Sequence, residues 1–158
     1  MTRVLLLAAV VVVLDQITKA AALAHLILGH PLVLAERWLS LTLVMNPGLA
    51  FGLLGTIEPA WRWVVAALSI VALLVLVRVA LRVLPTGGVA GVVAIGLIFG
   101  GAVGNLIDRA RFGAVVDFVD VHWHGWHWPA FNVADSTISI GVALLALRLL
   151  REPRGASR

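Results

Sequence analysis

Cysteine is absent from this 158-residue sequence, and charged residues make up only 13% of it. The lack of cysteine excludes disulfide bonds, zinc sites with thiolate ligands and a cysteine nucleophile. What the chain has instead is a hydrophobic content of 61% and a mean hydropathy of +1.05. That mean is far above the value of soluble proteins, so we interpret the chain as an integral membrane protein. Its length indicates a single domain, residues 1–158.

Four apolar stretches are long enough to cross a membrane, whose hydrocarbon core of about 30 Å requires about 20 helical residues. They cover residues 4–28, 61–83, 89–107 and 133–150. The sequence therefore predicts a membrane protein with an all-α core of four transmembrane helices. The first stretch also resembles a cleavable signal peptide with a cleavage site at residues 22–24. Its apolar run continues to Leu28, however, which is longer than such a peptide requires.

The distribution of basic residues predicts the orientation of the chain. An even number of spans places both termini on one side, and that side carries Arg3, Arg78, Arg82, Arg148, Arg151, Arg154 and Arg158. The opposite side carries only Arg37, Arg62, Arg109 and Arg111. Because loops rich in arginine stay in the cytoplasm, we expect both termini there. We interpret the net charge of +4 as this topology signal, and we expect no nucleic-acid partner.

Two segments between the helices alternate in the manner of half-buried strands. In residues 39–45, apolar side chains occupy every odd position, and Ser40 and Thr42 lie between them. Residues 115–123 form a second alternating run. A period of two is typical of a strand. We therefore expect a small β-sheet element on the outer face, packed on the four helices.

Asp117 and Asp135 are the strongest candidates for catalysis. Each lies in or beside strongly apolar sequence, where a carboxylate is costly and therefore suggests function. Two carboxylates brought together can share one proton and activate water for peptide hydrolysis. The alternation places Asp117 on the more apolar strand face, which predicts a raised pKa, and makes Asp120 a solvated surface charge on the other face. The alternative role for Asp135 is helix capping, because aspartate favours the first turn.

Further polar residues lie within the predicted spans. Asp15 and Lys19 are one helical turn apart on the same face, so their charges can neutralise each other. This pair either orients the helix or contacts a substrate directly. Asn105 and Arg109 share a face at the end of the third helix. A buried amide requires hydrogen-bond partners, and a guanidinium can hold peptide carbonyls or a carboxylate.

Histidines and tryptophans are interspersed near the second strand: His122, His124 and His127 among Trp123, Trp126 and Trp128. Imidazole is a common zinc ligand, but this spacing lacks the His-Glu-x-x-His helical pattern of zinc peptidases. We interpret the segment as an aromatic patch at the level of the lipid headgroups. The sequence therefore predicts no metal site and no cofactor.

The chain resembles the bacterial lipoprotein signal peptidases, also called signal peptidase II, through five motifs that occur in the family's order. They are Asp-Gln-Ile-Thr-Lys at 15–19, Asn-Pro-Gly-Leu-Ala-Phe-Gly at 46–52, Gly-Asn-Leu-Ile-Asp-Arg at 104–109, Val-Val-Asp-Phe at 115–118 and Phe-Asn-Val-Ala-Asp-Ser at 131–136. The family more often has alanine where Leu49 stands, a departure that concerns substrate fit and leaves the chemistry intact. The resemblance extends from Asp15 into the fourth helix.

This resemblance implies an activity and a set of site residues. It implies an aspartic endopeptidase with four transmembrane helices and an outer β-sheet cradle, which cleaves diacylglyceryl-modified prolipoproteins just before the lipidated lipobox cysteine. Asp117 and Asp135 then correspond to the catalytic pair. The residues that match family positions lining or shaping the site are Asn46, Asn105, Arg109, Asn132, Asp15 and Lys19. We expect a monomer among the lipids of the bacterial cytoplasmic (inner) membrane, with its active site near the outer leaflet.

Two other classes of membrane protein are alternatives to the peptidase. A small transporter or proton-relay protein also carries intramembrane carboxylates. It would spread them across the depth of the membrane, whereas the polar residues of this chain cluster toward one face. A structural membrane module without chemistry would leave Asp117 and the shared face of Asn105 and Arg109 unexplained.

Overall fold

The structure is a computed structural model, and it describes residues 1–48, 62–83 and 88–151. The helices are α1 (Thr2–His25), α2 (Arg62–Val83), α3 (Gly88–Phe112) and α4 (Val133–Arg151). The strands are β1 (Leu32–Ala35), β2 (Leu39–Asn46), β3 (Val115–Trp123) and β4 (Trp126–His127). Leu49, the first residue of the predicted second span and residues 152–158 lie outside the described residues.

Three of the described helices, α1, α3 and α4, are long and apolar enough to cross a membrane. Their outward faces are correspondingly apolar, and α1 exposes large aliphatic side chains that include Leu5, Leu6, Val10, Val13 and Ile17. A continuous exposed apolar surface of this kind is typical of contact with lipid. The chain is therefore a mostly helical, multi-pass membrane protein with a small antiparallel sheet.

The helices do not end where the apolar stretches end. α1 stops at His25, because the backbone at Leu26 is extended, with φ −100° and ψ 144°. α3 continues past residue 107 to Phe112, where Gly113 closes it with a φ of 68° and donates its N–H to the carbonyl of Arg109. Hydropathy marks where apolar side chains stop, but the backbone hydrogen bonds of a helix can continue through polar residues. Arg109 therefore lies on α3 itself.

α3 packs between α1 and α4, and its glycines allow this close approach. A Cβ atom at Gly100 would lie 2.6 Å from the Cβ of Val11 on α1. At Gly101, a Cβ would lie 2.5 Å from the carbonyl oxygen of Ala134 on α4. Small residues are the usual means by which membrane helices come into close contact. The polar side chains of α1, α3 and α4 are thereby brought within hydrogen-bonding distance of one another.

The strands form one antiparallel sheet in the order β1-β2-β3-β4. β2 and β3 are the two strands that alternation predicted, and they pair Leu41 with Val119 and Val44 with Asp117 across a β-bulge. The other two were not predicted. β1 is a short apolar run without alternation, and β4 has two residues. A two-residue turn joins β3 to β4, with φ values of 49° at His124 and 81° at Gly125.

The prediction that Asp120 is a solvated surface charge is wrong. Val116, Phe118 and Asp120 share the strand face expected to be wetter, yet they are only 0%, 9% and 9% exposed. Nδ1 of His127 lies 2.9 and 3.0 Å from the two carboxylate oxygens of Asp120. The physical reason is that β4 folds back along β3 and covers this end of the face, a contact that alternation within β3 cannot reveal.

Candidate active site

Asp117 and Asp135 converge on Asn132, although they lie on different elements. The backbone N–H groups of Phe118 and Val119 both donate to the carbonyl of Phe131, which holds the start of α4 against β3. The Asn132 side-chain amide then donates to Oδ1 of Asp117 at 2.7 Å. Its backbone N–H donates to Oδ2 of Asp135 at 3.2 Å. One residue therefore contacts both carboxylates.

Asp135 belongs to a capping box at the N-terminus of α4 as well. The side-chain oxygen of Asn132 accepts a hydrogen bond from the backbone N–H of Asp135 at 2.9 Å. The reciprocal bond runs from the backbone N–H of Asn132 to the Asp135 carboxylate. This reciprocity is the capping-box pattern, which satisfies two backbone donors at the helix start. Capping and proximity to Asp117 are thus compatible, because the Asn132 that closes the capping box also donates its side-chain N–H to Asp117.

Two more asparagines complete the hydrogen bonding of the carboxylates. Asn46, at the end of β2, donates its amide to Oδ2 of Asp117 at 2.9 Å. Asn105, on α3, donates to Oδ1 of Asp135 at 2.8 Å. Each of the four carboxylate oxygens therefore accepts one N–H. An amide can hold a carboxylate in place without exchanging a proton with it, so these contacts orient the pair and leave its protons available.

The environment of Asp117 makes it a weak acid. Burial raises the pKa of its carboxyl from 3.8 to about 7. The hydrogen bond from Asn46 opposes this change, the negative charge of Asp135 raises the pKa further, and Asn132 and Lys19 lower it. Because this pKa lies close to neutrality, a proton is readily gained and lost at Asp117 under physiological conditions. Such a carboxyl is suited to acid–base catalysis.

A cavity of about 280 Å³ opens beside Asp135, and Asn46, which donates to Asp117, also lines it. Its polar lining consists of Asn46, Ser69, Asn105, Arg109 and Asp135, and its apolar lining of Leu68, Ala72, Ala102, Val115 and Ile138. The Arg109 guanidinium donates to the carbonyls of Gly48 at 3.0 Å and Asn105 at 3.3 Å. Its buried Nε has no hydrogen-bond partner within the described ranges. The cavity thus combines an apolar wall with hydrogen-bond donors at one end.

Asp15 and Lys19 form an ion pair of 2.9 Å behind the cavity. The geometry also includes Asp108, whose carboxylate lies 2.8 Å from Nζ of Lys19 and which the sequence argument missed. These three side chains are at most 2% exposed. Because Asp15 is fully enclosed, the geometry favours an orienting role for it over direct contact with a substrate. The available signal was the helical spacing of Asp108, three residues after Asn105 on α3.

The histidines lie apart from the carboxylate pair. His122 Nε2 is 3.0 Å from the Ser40 hydroxyl, and His127 pairs with Asp120. Among the parts of the chain that the structure describes, no three histidine or acidic side chains are grouped so as to hold a metal ion. Trp123, Trp126 and Trp128 are 57%, 60% and 43% exposed around them.

Comparisons with known proteins place similar chains in one family. A family model described as signal peptidase (SPase) II matches residues 7–151 of this chain. The lipoprotein signal peptidase of Syntrophotalea carbinolica is 43% identical, over 94% of this chain and 91% of its own length. The lipoprotein signal peptidase of Polynucleobacter necessarius subsp. necessarius is 40% identical, over 98% of this chain and 93% of its own length. The lipoprotein signal peptidase of Geobacter sulfurreducens is 43% identical, over 90% of this chain and 88% of its own length.

Solved structures share the fold as well. A bacterial membrane enzyme determined at 2.3 Å resolution matches with a TM-score of 0.79 and 29% identity, covering 100% of this chain and 93% of that one. A second, at 1.9 Å resolution, matches with a TM-score of 0.79 and 33% identity, covering 96% and 95%. The arrangement of helices and sheet described above is therefore one that bacterial membrane enzymes adopt.

Proposed function

This chain belongs to the signal peptidase II family and is a peptidase that removes signal peptides from prolipoproteins, and we propose that Asp117 and Asp135 are its catalytic pair. The observation that carries this proposal is their convergence on Asn132, which donates to both carboxylates. Asp117 is buried and Asp135 is half-buried, and two carboxylates in one site cannot easily both be ionised, so they share a proton. A shared proton supplies the acid and the base that hydrolysis of a peptide bond requires.

The reaction follows from that sharing. The ionised carboxylate removes a proton from a water molecule held between the pair, and the water oxygen attacks the scissile carbonyl carbon. The protonated carboxyl donates a hydrogen bond to the carbonyl oxygen, so a tetrahedral gem-diol forms without a covalent bond to the enzyme. A proton then passes to the leaving nitrogen, and the carbon–nitrogen bond breaks. The two carboxyls titrate as a coupled pair, so the roles of acid and base belong to the pair.

The cavity accounts for how a lipoprotein precursor is held. Its apolar wall, with Leu68, Ala72 and Ala102, suits the hydrophobic end of a signal peptide. Arg109 lies at the polar end, where its guanidinium can donate to a peptide carbonyl. We place the scissile bond between these groups, just before the cysteine that carries diacylglycerol. The lipid itself then extends into the surrounding membrane.

The same arrangement supports a topology. Asn105 and Arg109 lie near the C-terminal end of α3, and Asp135 lies in the first turn of α4, so the site occupies one end of the helices. The sheet carries Asp117 at that end. With α2 as a fourth span of 22 largely apolar residues, both termini face the cytoplasm and the site lies near the outer leaflet. We propose that the protein acts as a monomer.

The direct test is cleavage of a diacylglyceryl-modified lipobox peptide by the purified protein in detergent and lipid, followed by mass spectrometry. Asp117→Asn and Asp135→Asn should each lower kcat by about 10²- to 10⁴-fold, the usual range for loss of acid–base catalysis. Asp120→Asn is the matched control, because it is the same change on the same strand with a buried carboxylate that faces His127. It should retain most activity.

Two outcomes would contradict the proposal. Turnover near that of the wild type in folded Asp117→Asn would exclude the catalytic pair. Loss of activity in a chelator, with recovery on adding zinc, would indicate metal-dependent hydrolysis instead. We expect the chelator to leave the rate unchanged.

A further inference from the structure

The three asparagines that contact the carboxylates must each be oriented correctly. An asparagine side chain ends in an oxygen that accepts and a nitrogen that donates, and the two ends have nearly the same shape. Rotation by 180° would turn the oxygen toward a carboxylate and replace an attraction with a repulsion. Something in the fold must therefore fix the orientation of Asn46, Asn132 and Asn105.

Backbone N–H groups fix two of these amides. The oxygen of Asn46 accepts from the N–H of Gly48 at 3.0 Å. The oxygen of Asn132 accepts from the N–H of Asp135 at 2.9 Å. A backbone N–H can only donate, so in each case the amide nitrogen is forced to the opposite side, toward Asp117.

At Asn105, a lysine side chain fixes the orientation of the amide. The oxygen of Asn105 accepts from Nζ of Lys19 at 2.9 Å, and an ammonium group can only donate. The Asn105 nitrogen is thereby directed at Asp135. The Asn132 amide also approaches the Asn105 oxygen, at 3.2 Å, but it shares that hydrogen-bonding capacity with Asp117 and the carbonyl of Val116. Lys19 therefore supplies the charged hydrogen-bond donor that orients the Asn105 amide.

Lys19 is itself immobilised, and it is the only lysine of the chain. Its ammonium group has three N–H bonds and three partners: Asp15 at 2.9 Å, Asp108 at 2.8 Å and Asn105 at 2.9 Å. Both aspartates also accept backbone N–H groups beside the catalytic pair. Asp15 accepts from Ala134, which precedes Asp135, and Asp108 accepts from Val116, which precedes Asp117. At 2% exposure, Lys19 is shielded from the substrate.

We propose that Lys19 is a positioning residue, which locks the Asn105 amide so that its N–H faces Asp135 and keeps that carboxyl in place for catalysis. Lys19 does not transfer a proton and does not touch the substrate. The proposal rests on the catalytic pair of the preceding section. It assigns a role in turnover to a buried charge that would otherwise serve only to join α1 to α3.

The test compares two double variants that carry the same charge. Replacing Lys19 alone would leave two buried carboxylates without their cation, a change that often unfolds a protein. Adding Asp108→Asn removes one of those carboxylates. The double variant Lys19→Met with Asp108→Asn therefore keeps the net charge at positions 15, 19 and 108 at −1, as in the wild type. Lys19→Gln with Asp108→Asn has the same charge, but glutamine retains an N–H that can donate to Asn105. The two double variants differ mainly in that donor, and Asp108→Asn alone is the reference.

We expect kcat of the methionine double variant to fall about 100-fold below that of Asp108→Asn, the effect of losing one charge-assisted hydrogen bond. KM should stay within about twofold, because the cavity that holds the substrate is unchanged. The glutamine double variant should stay within about tenfold of Asp108→Asn. A purely structural role for Lys19 would instead lower the yield and thermal midpoint of both double variants without changing kcat per folded molecule.

Equal kcat values for the folded methionine and glutamine variants would overturn the proposal, because the donor would then make no difference. If the methionine variant does not fold, a 100-fold loss in the folded glutamine variant would overturn it as well. Asp117→Asn in the same assay separates the two proposals. Its inactivity together with normal turnover by the methionine variant would refute the role of Lys19 alone. Normal turnover by folded Asp117→Asn would refute the catalytic pair, and the positioning role with it.

Discussion

Replacing Asp117 by asparagine should remove a loss of stability that grows with pH, while it lowers kcat by about 10²- to 10⁴-fold. Burial raises the pKa of Asp117 from 3.8 to about 7, so the folded state binds this proton more tightly than the unfolded state does. The resulting stability is fully present below about pH 4 and is lost as the pH rises through about 7. The loss amounts to about 4 kcal/mol, since one pKa unit corresponds to about 1.4 kcal/mol.

An asparagine at this position avoids that loss. Its side chain has the shape of the protonated carboxyl and no charge, but its NH2 group faces an N–H of Asn46 or Asn132 and loses one hydrogen bond, at a cost of about 1–3 kcal/mol. That cost is the same at every pH, so the variant should be less stable than the wild type at pH 4. Between pH 4 and pH 8 the difference in stability should shift in favour of the variant by about 4 kcal/mol, which for a protein of this size corresponds to roughly 10 °C in Tm. The protein would thus carry a buried charge that costs stability for the sake of its chemistry.

The assay is thermal unfolding in detergent at pH 4, 6 and 8, followed by the fluorescence of the chain's six tryptophans. The Tm difference between Asp117→Asn and the wild type should grow with pH. Asp120→Asn is the matched control for the substitution itself, because it makes the same change in a second buried carboxylate of the same strand. A Tm difference that stays the same at all three pH values would refute the assignment of a raised pKa to Asp117.

Three further predictions concern the chemistry, the packing and the topology. The cleavage rate should decline as the pH rises above about 7, where Asp117 loses its proton, and a pH–rate profile of kcat that stays flat to pH 9 would contradict this. Gly104→Ala should lower the yield of folded protein and its Tm, because the added Cβ would lie 2.5 Å from a carboxylate oxygen of Asp15. Overpacking of this kind costs about 1–3 kcal/mol. An unchanged Tm would show that α1 and α3 separate easily. A single cysteine introduced as Ser157→Cys should resist an impermeant maleimide added to intact cells, and efficient labelling from outside would reverse the proposed topology.

Much of the architecture could be predicted because it depends on neighbouring residues. The long apolar runs indicated membrane helices, and period-two alternation indicated β2 and β3. The same reasoning failed where the determinant was another part of the chain. It missed β4, whose two residues have no pattern of their own, and it therefore misjudged Asp120, which β4 covers. The sequence also indicated that Asn105 and Arg109 lie together near the end of the third helix, and α3 contains both.

The candidate site was predicted as a set of residues but not as an arrangement. Asp117 and Asp135 stood out because carboxylates in apolar sequence are costly. Capping and catalysis are compatible roles for Asp135, since the Asn132 that closes its capping box also donates to Asp117. The helical spacing of Asp108 after Asn105 indicates a shared side of α3, but only the tertiary structure places its carboxylate against Lys19.

The sequence by itself determined the membrane class, the helical core, two strands and the two carboxylates of the candidate pair. Each of these follows from composition or from a period of two to four residues, which local physics imposes. Only the tertiary structure decided which groups meet. Asn132 joins Asp117 to Asp135, and Lys19 joins Asp108 to Asn105, through contacts between separate helices and strands. Hydrogen bonds and ion pairs of that kind depend on distances of about 3 Å in space, and the spacing of residues along the chain does not reveal them.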